Sequence, residues 1–296
     1  MAGDARYQQA AAQLGHDEPI VRTAGIYALE AIVVEWAALG DTAQRDVCID
    51  LLCGYLRSTT GLDHDPTSGL LTPTESERSV RSTVTTVIVR HLGEDKKPGG
   101  WSDRPYDFTK AHVVDANFDN VTFQHDVEFE EATFHGSAFF DEVTFQGDSR
   151  FLMATFQGNA WFGGTQFQGV ASFYRATFHG FALLRAAFHD DATFYGATFR
   201  DDTSFYGATF HGDSLFEELH FHGWTSFEDA TFRGDARFAT THFLGSVLGL
   251  RDDRVTLQDA LVLRDNLDDG LRALGASDAR RPRHPPGRTL LDEKPF

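Results

Sequence analysis

The chain has 296 residues, enough for two compact units at about 100–200 residues each, and its 41% hydrophobic content excludes wholesale disorder. Its net charge is −18, distributed as −5 over residues 1–112, −13 over residues 113–243 and 0 over residues 244–296, so the middle of the chain has the wrong sign for neutralising nucleic-acid phosphates. No apolar run reaches the roughly 18 residues of a membrane span, and with no secretory signal at the start a soluble cytoplasmic protein is expected.

Residues 1–93 read as a small all-α domain. Asp17 and Pro19 open a helix whose Leu29, Ile32, Val33 and Trp36 share one stripe. A second helix is expected from Asp41 to Arg57. A third runs from Thr74 to His91, with Val80, Val84, Val87 and Ile88 inward. Cys48 and Cys53 fall five residues apart in the second helix and read as buried free thiols. The stretch P-I-V-R-T-A-G-I-Y-A-L-E-A-I resembles a HEAT-type helix. Residues 94–110, with Lys96, Lys97, Pro98, Gly99 and Gly100, read as a linker.

Residues 111–249 carry a repeat. The chain holds 27 Phe against 7 Tyr and 4 Trp, and 23 of those Phe recur in steps of alternately five and six residues from Phe118 to Phe243. One ten-residue step, from Phe178 to Phe188, breaks the rhythm, and Leu183 is expected to fill it. A small residue such as Ala132, Ala154 or Ala176 stands two before each Phe. Small–x–large is the period of an extended strand with both marked residues on one side. Gly136, Gly147, Gly158, Gly169, Gly212, Gly223 and Gly234 follow alternate Phe and are expected to supply turn conformations that side chains resist. Short strands separated by turns make a coil, and coils must stack to bury their Phe.

With motifs A-T-F-H-G, A-T-F-Q-G and A-T-F-Y-G over about 140 residues, this segment resembles the Phe-centred branch of the pentapeptide-repeat family. The resemblance implies a right-handed quadrilateral β-helix, so the expected fold class is mainly β with a small helical domain in front. A sixth residue in every second unit departs from the family pattern and lengthens the coil to 22 residues, bulging two corners. Across the ten-residue step one corner should be tighter. The helical segment resembles the region preceding the repeats in some multidomain relatives.

After Gly249 the rhythm stops. Residues 250–275 are expected to cap the open end with a helix over Leu257 to Leu274, and residues 276–296 to form a disordered tail. No phosphate loop, nucleophile elbow or paired-Cys metal motif occurs, so a non-enzymatic chain without cofactor is expected. An enzyme would need a pocket near Trp101, Tyr106 and His112. His189 and His211 fall on adjacent rungs, where two His without a third ligand make a weak metal site.

The candidate partner-binding residues lie on the solenoid. Asp126, Asp148, Asp191, Asp213 and Asp235 occupy one corner of successive coils, with Val170 in the one interruption. Each could accept hydrogen bonds within its own turn, or the column could be used by a partner. Tyr174 and Tyr195 stand in the middle of a nearby column that is acidic near each end and aromatic or neutral between. At about 4.8 Å per coil the repeats span roughly 30 Å, over which duplex DNA carries roughly 18 charges. The expected function is therefore an acidic solenoid docking a basic protein surface. Relatives that occupy the DNA-binding saddle of DNA gyrase suggest DNA mimicry as its specific form, with a homodimer through residues 250–275. The competing reading is a scaffold or sensor adaptor whose helical domain selects partners.

Overall fold

The computed structural model describes residues 2–66, 69–94, 100–250, 255–256, 261–263 and 277–279. Four helices come first: α1 (Ala2–Leu14), α2 (Pro19–Ala38), α3 (Thr42–Arg57) and α4 (Glu75–Glu94), with a two-stranded hairpin of Leu62–His64 and Leu71–Pro73 before α4. Pro19 sits in the first turn of α2, where its missing N–H costs nothing. The Asp41 carboxylate caps α3, accepting the Gln44 N–H at 3.1 Å. The expected stripe of α2 is buried through Leu29, Ile32 and Val33 against Cys48, Ile49 and Leu52 of α3 and Val80, Val84 and Val87 of α4. Trp36 is half-buried against Tyr7 of α1, a helix the sequence reading did not single out. Burial pushes both Cys48 and Cys53 thiols up to about 12, so they pack as small apolar groups.

One polar cluster lies inside this apolar shell. Glu77, fully buried, accepts from Arg22 Nη2 at 2.9 Å and from the Tyr55 hydroxyl at 2.8 Å. Arg81 Nε lies 3.0 Å from Oε1, the oxygen that accepts from Tyr55, as an ion pair not aligned as a hydrogen bond. The Arg81 guanidinium also donates to the carbonyls of Leu56, Ser58 and Thr60 at 2.8–2.9 Å, so it satisfies the end of α3. Gly61 adopts a φ of 63°, and a Cβ there would lie 2.7 Å from the Glu77 side chain.

Residues 106–248 form a four-sided β-solenoid, mostly of two-residue strands, each paired in parallel with the strand one coil away. Thr155–Phe156 pairs with Thr133–Phe134 on one side and Thr177–Phe178 on the other, a 22-residue coil. Ladder contacts that cross the short step drop to 21 residues, as in Phe167↔Phe188 and Phe178↔Phe199. The Phe side chains stack face to face in columns. Phe134, Phe156, Phe178, Phe199, Phe221 and Phe243 follow one another at 4.6–5.1 Å.

Three local expectations need correction. The residue filling the core gap is Leu184, fully buried, while Leu183 points outward from its strand. The missing residue therefore falls in the corner between Leu184 and Phe188, which lacks the left-handed residue of its counterparts. The glycines after alternate Phe, Gly136 excepted, do not adopt positive φ. Left-handed backbone occurs instead at the other corners, on residues as bulky as Met153 (φ 54°) and Arg175 (φ 53°). What demands glycine is the approach of the next coil: a Cβ on Gly158 would lie 2.5 Å from the Gly136 carbonyl carbon. Finally, the ladder begins inside the expected linker. Tyr106–Asp107 pairs with Val127–Glu128, and Phe108 stacks on Phe129 at 5.0 Å.

Most of the helix expected over Leu257 to Leu274 lies outside the described residues, as does the tail after Ala279. Leu261–Leu263, however, is a strand paired with His242–Phe243, so the ladder continues where a helix was expected. The helical domain is fixed to the first coils through Trp101, which stacks on His91 at 4.5 Å, and through Arg45 donating to the Gly100 carbonyl at 2.7 Å. Arg57 grips Asp107 through both its carbonyl (2.6 Å) and its carboxylate (2.7 Å).

Candidate interaction faces

The Asp corner and the Tyr corner bound the same side of the solenoid. Between them run the strands Val127–Glu128, Ser149–Arg150, Ala171–Ser172, Ala192–Thr193, Ser214–Leu215 and Ala236–Arg237. Across the six rungs from the Asp column to the Tyr column stand ten carboxylates and three guanidiniums. The structure thus brings together residues that the sequence reading had assigned to separate columns.

Four of the five Asp side chains serve the next coil and not their own turns. Asp126 Oδ1 accepts the Asp148 N–H at 2.9 Å, Asp148 Oδ1 accepts the Val170 N–H at 3.1 Å, Asp191 Oδ1 accepts the Asp213 N–H at 2.8 Å and Asp213 Oδ1 accepts the Asp235 N–H at 3.0 Å. These four carboxylates therefore tie their coils to the next. Val170 has no oxygen to offer, and the N–H of Asp191 turns to Asp190 Oδ1 at 2.8 Å instead. The same device recurs at other corners, where Asn159 Oδ1 accepts the Phe181 N–H at 3.1 Å and Asp202 Oδ1 the Trp224 N–H at 2.7 Å. One oxygen of Asp126, Asp148, Asp191 and Asp213 is thereby committed between coils. Arg150 claims the other oxygen of Asp148 at 2.9 Å and also contacts Glu128. Arg237 approaches the other oxygen of Asp213 at 3.8 Å.

At the opposite edge Tyr174 and Tyr195 stack at 5.6 Å and 9°, with the Arg175 guanidinium 5.3 Å over the Tyr174 ring. A hydrogen bond to Glu218 raises the Tyr195 phenol above its ordinary pKa. Tyr206, on the corner across the coil, is raised in the same way by Asp229. These rings form flat, half-exposed contact area within the carboxylate field.

A second surface escaped the sequence reading. Phe139, Trp161 and Leu183 occupy successive rungs on the outside of the opposite side, and Phe181 meets Trp161 edge-on at 5.4 Å. Phe139 and Phe181 are two of the Phe outside the core rhythm. The available signal was a large apolar residue directly before a core residue, in Phe139-Phe140, Trp161-Phe162 and Leu183-Leu184, where most coils carry Thr, Ser or a charge.

The His pairs are stacked rungs. His189 and His211 lie 5.0 Å apart, and among the described residues no three His, Cys, Asp or Glu side chains are grouped to hold a metal. Trp101 and Tyr106 are buried in the junction with the helical domain, the Tyr106 hydroxyl donating to the Trp101 carbonyl at 2.9 Å. His112 is half-buried there and its Nδ1 lies 3.0 Å from Nε2 of the buried His135. Burial holds both imidazoles down at about 4. No helix among the described residues is long and apolar enough to cross a membrane.

Residues 129–177, 162–209, 173–220 and 183–231 match the family profile described as pentapeptide repeats (9 copies). Comparison with curated proteins and with solved structures found no match. The matched residues are those whose Phe and Ala fill the stacked coils, and by them the segment 129–231 belongs to the pentapeptide-repeat family.

Proposed function

We propose that this chain is a non-enzymatic interaction protein whose acidic solenoid side docks a basic surface of a protein partner. The observation that carries the reading is the ten carboxylates against three guanidiniums over one six-rung side. A rigid ladder fixes their spacing, so binding them costs little conformational entropy. Asp126, Asp148, Asp191, Asp213 and Asp235 would contribute their carboxylates, and Tyr174 and Tyr195 a flat contact between the two acidic ends. Mimicry of a nucleic-acid backbone is the specific form, with the DNA-binding surface of a type II topoisomerase such as DNA gyrase as the partner. The segment expected to dimerise in that form, residues 250–275, lies largely outside the described residues.

The inter-coil bonds dictate the test. Asn keeps an oxygen for the N–H above it and loses the charge, so the five Asp→Asn changes separate electrostatics from folding. Gyrase supercoiling is measured with the wild type and with the five-Asn variant. Inhibition by the wild type that disappears in the variant supports the reading. Inhibition unchanged in the variant, or absent from both, refutes the gyrase form.

A further inference from the structure

Helix α2 has the composition of a helix buried on all sides, yet it is covered on only part of its circumference. Its polar residues are Arg22, Thr23, Glu30 and Glu35 alone, and α1, α3 and α4 pack around it. On the uncovered side stand Ile20, Ala24, Tyr27, Ala31, Val34 and Ala38, all exposed, with Ile20 at 75% and Tyr27 and Val34 at 49% each. Single exposed apolar residues need no explanation, but an unbroken line of six does. Their spacing alternates four and three residues, which is the spacing of a coiled-coil seam.

The order of sizes along the seam identifies what covers it. Large residues (Ile20, Tyr27, Val34) hold every second position and Ala the others. Against a parallel copy, Ile20 would meet Ile20, Tyr27 would meet Tyr27 and Ala31 would meet Ala31, alternately crowding and emptying the layers. Against an antiparallel copy, Ile20 meets Ala38, Tyr27 meets Ala31 and Val34 meets Ala24, and every layer pairs large with small. Alanine also lets the two axes approach to the short end of the usual range, about 8 Å. We propose that α2 is a self-association surface through which two copies of this chain pair antiparallel about a two-fold axis near Leu29.

The rims permit this. Glu35 is held by Arg6 of α1 at 2.6 Å, and Glu30 by Arg90 of α4 at 2.7 Å with His91 Nε2 at 2.9 Å. Glu30 is the rim residue that would approach its own copy near the axis, and its charge is already compensated from α4. The contact is isologous and closes on itself, so it yields a dimer and not a filament.

Sedimentation velocity on the full chain at micromolar concentration tests the proposal, with Tyr27→Glu and Val34→Glu as variants and far-UV circular dichroism as the folding control. Both side chains are exposed in the single chain, so the variants fold, and each weakens the dimer by about 30-fold or more. Orientation is read from Ala24→Cys and Val34→Cys chains under mild oxidation. A mixture forms cross-linked dimers between unlike chains, and neither variant alone does, since like positions lie roughly 15 Å apart along the axis. A monomeric wild type, a dimer that survives Tyr27→Glu, or efficient cross-linking of a single variant overturns the proposal.

Discussion

Replacing Phe178 with Ala should be among the most damaging single changes in the rod. The ring is fully buried, sandwiched between Phe156 and Phe199 at 4.6 Å on each side and tilted against Phe173 at 6.2 Å. Truncating a buried Phe costs about 3–5 kcal/mol in transfer and cavity terms together. The upper part of that range applies here because the walls cannot collapse. The backbones above and below are pinned by the His179 N–H to the Phe156 carbonyl at 2.9 Å and the Arg200 N–H to the Phe178 carbonyl at 2.8 Å. Leu184 shows that the core accepts a Leu in place of Phe, so Phe178→Leu should cost far less, about 1–1.5 kcal/mol. Guanidinium melts followed by far-UV circular dichroism measure both, and tryptophan fluorescence checks that the helical domain and solenoid unfold together. A loss below about 1 kcal/mol for the Ala variant would refute stacked columns as the source of the rod's stability.

Three further outcomes follow from local geometry. Gly158→Ala should cost about 2–3 kcal/mol, because the new methyl meets Gly136 backbone that cannot yield. Gly207→Ala, with φ at 66° and open space around it, should cost only about 1–2 kcal/mol; the reverse order in melts would contradict close coil approach as the reason for glycine. Stability should fall as pH drops from about 6.5 toward about 4, because the unfolded chain protonates His112 and His135 near their ordinary pKa while the folded chain resists until about 4. Above that window the pair contributes no pH dependence, and His135→Gln should remove about one proton from the slope of stability against pH; an unchanged slope would exclude His135 as a contributor. Glu77→Gln should cost about 3–5 kcal/mol by leaving Arg22 and Arg81 buried without a counter-charge, and a thermal melt within a few degrees of wild type would be inconsistent with that.

The architecture was legible because the Phe period is both long and regular, and period alone determines which side chains share a layer. Leu183 and Leu184 mark where that logic stops. Steps of five and five or of six and four both satisfy a ten-residue gap, and only the corner that can lose a residue decides between them. Trp101, Tyr106 and Phe108 were read as linker because Gly and Pro surround them and their spacing precedes the rhythm, although they seat the helical domain on the first coil. The Asp column was found, but an acceptor serving its own turn and one serving the coil above look identical in a single rung. The stripe on α2 went unseen for a similar reason: an apolar helix shows in sequence, while the side its neighbours leave bare does not.

The register of the Asp-to-N–H bonds makes the length of the acidic side adjustable in fixed increments. Excising one whole coil removes one rung from every column and leaves the others in line. Excising half a coil would rotate everything beyond the cut by half a turn and set the Asp column over the opposite corner. The 21-residue coil marks the tolerance of this arrangement, for Ala192 still stands over Ala171 despite the lost residue. The rod therefore behaves as a ruler graduated at about 4.8 Å, along which charge can be placed or spaced out while its facing direction stays constant.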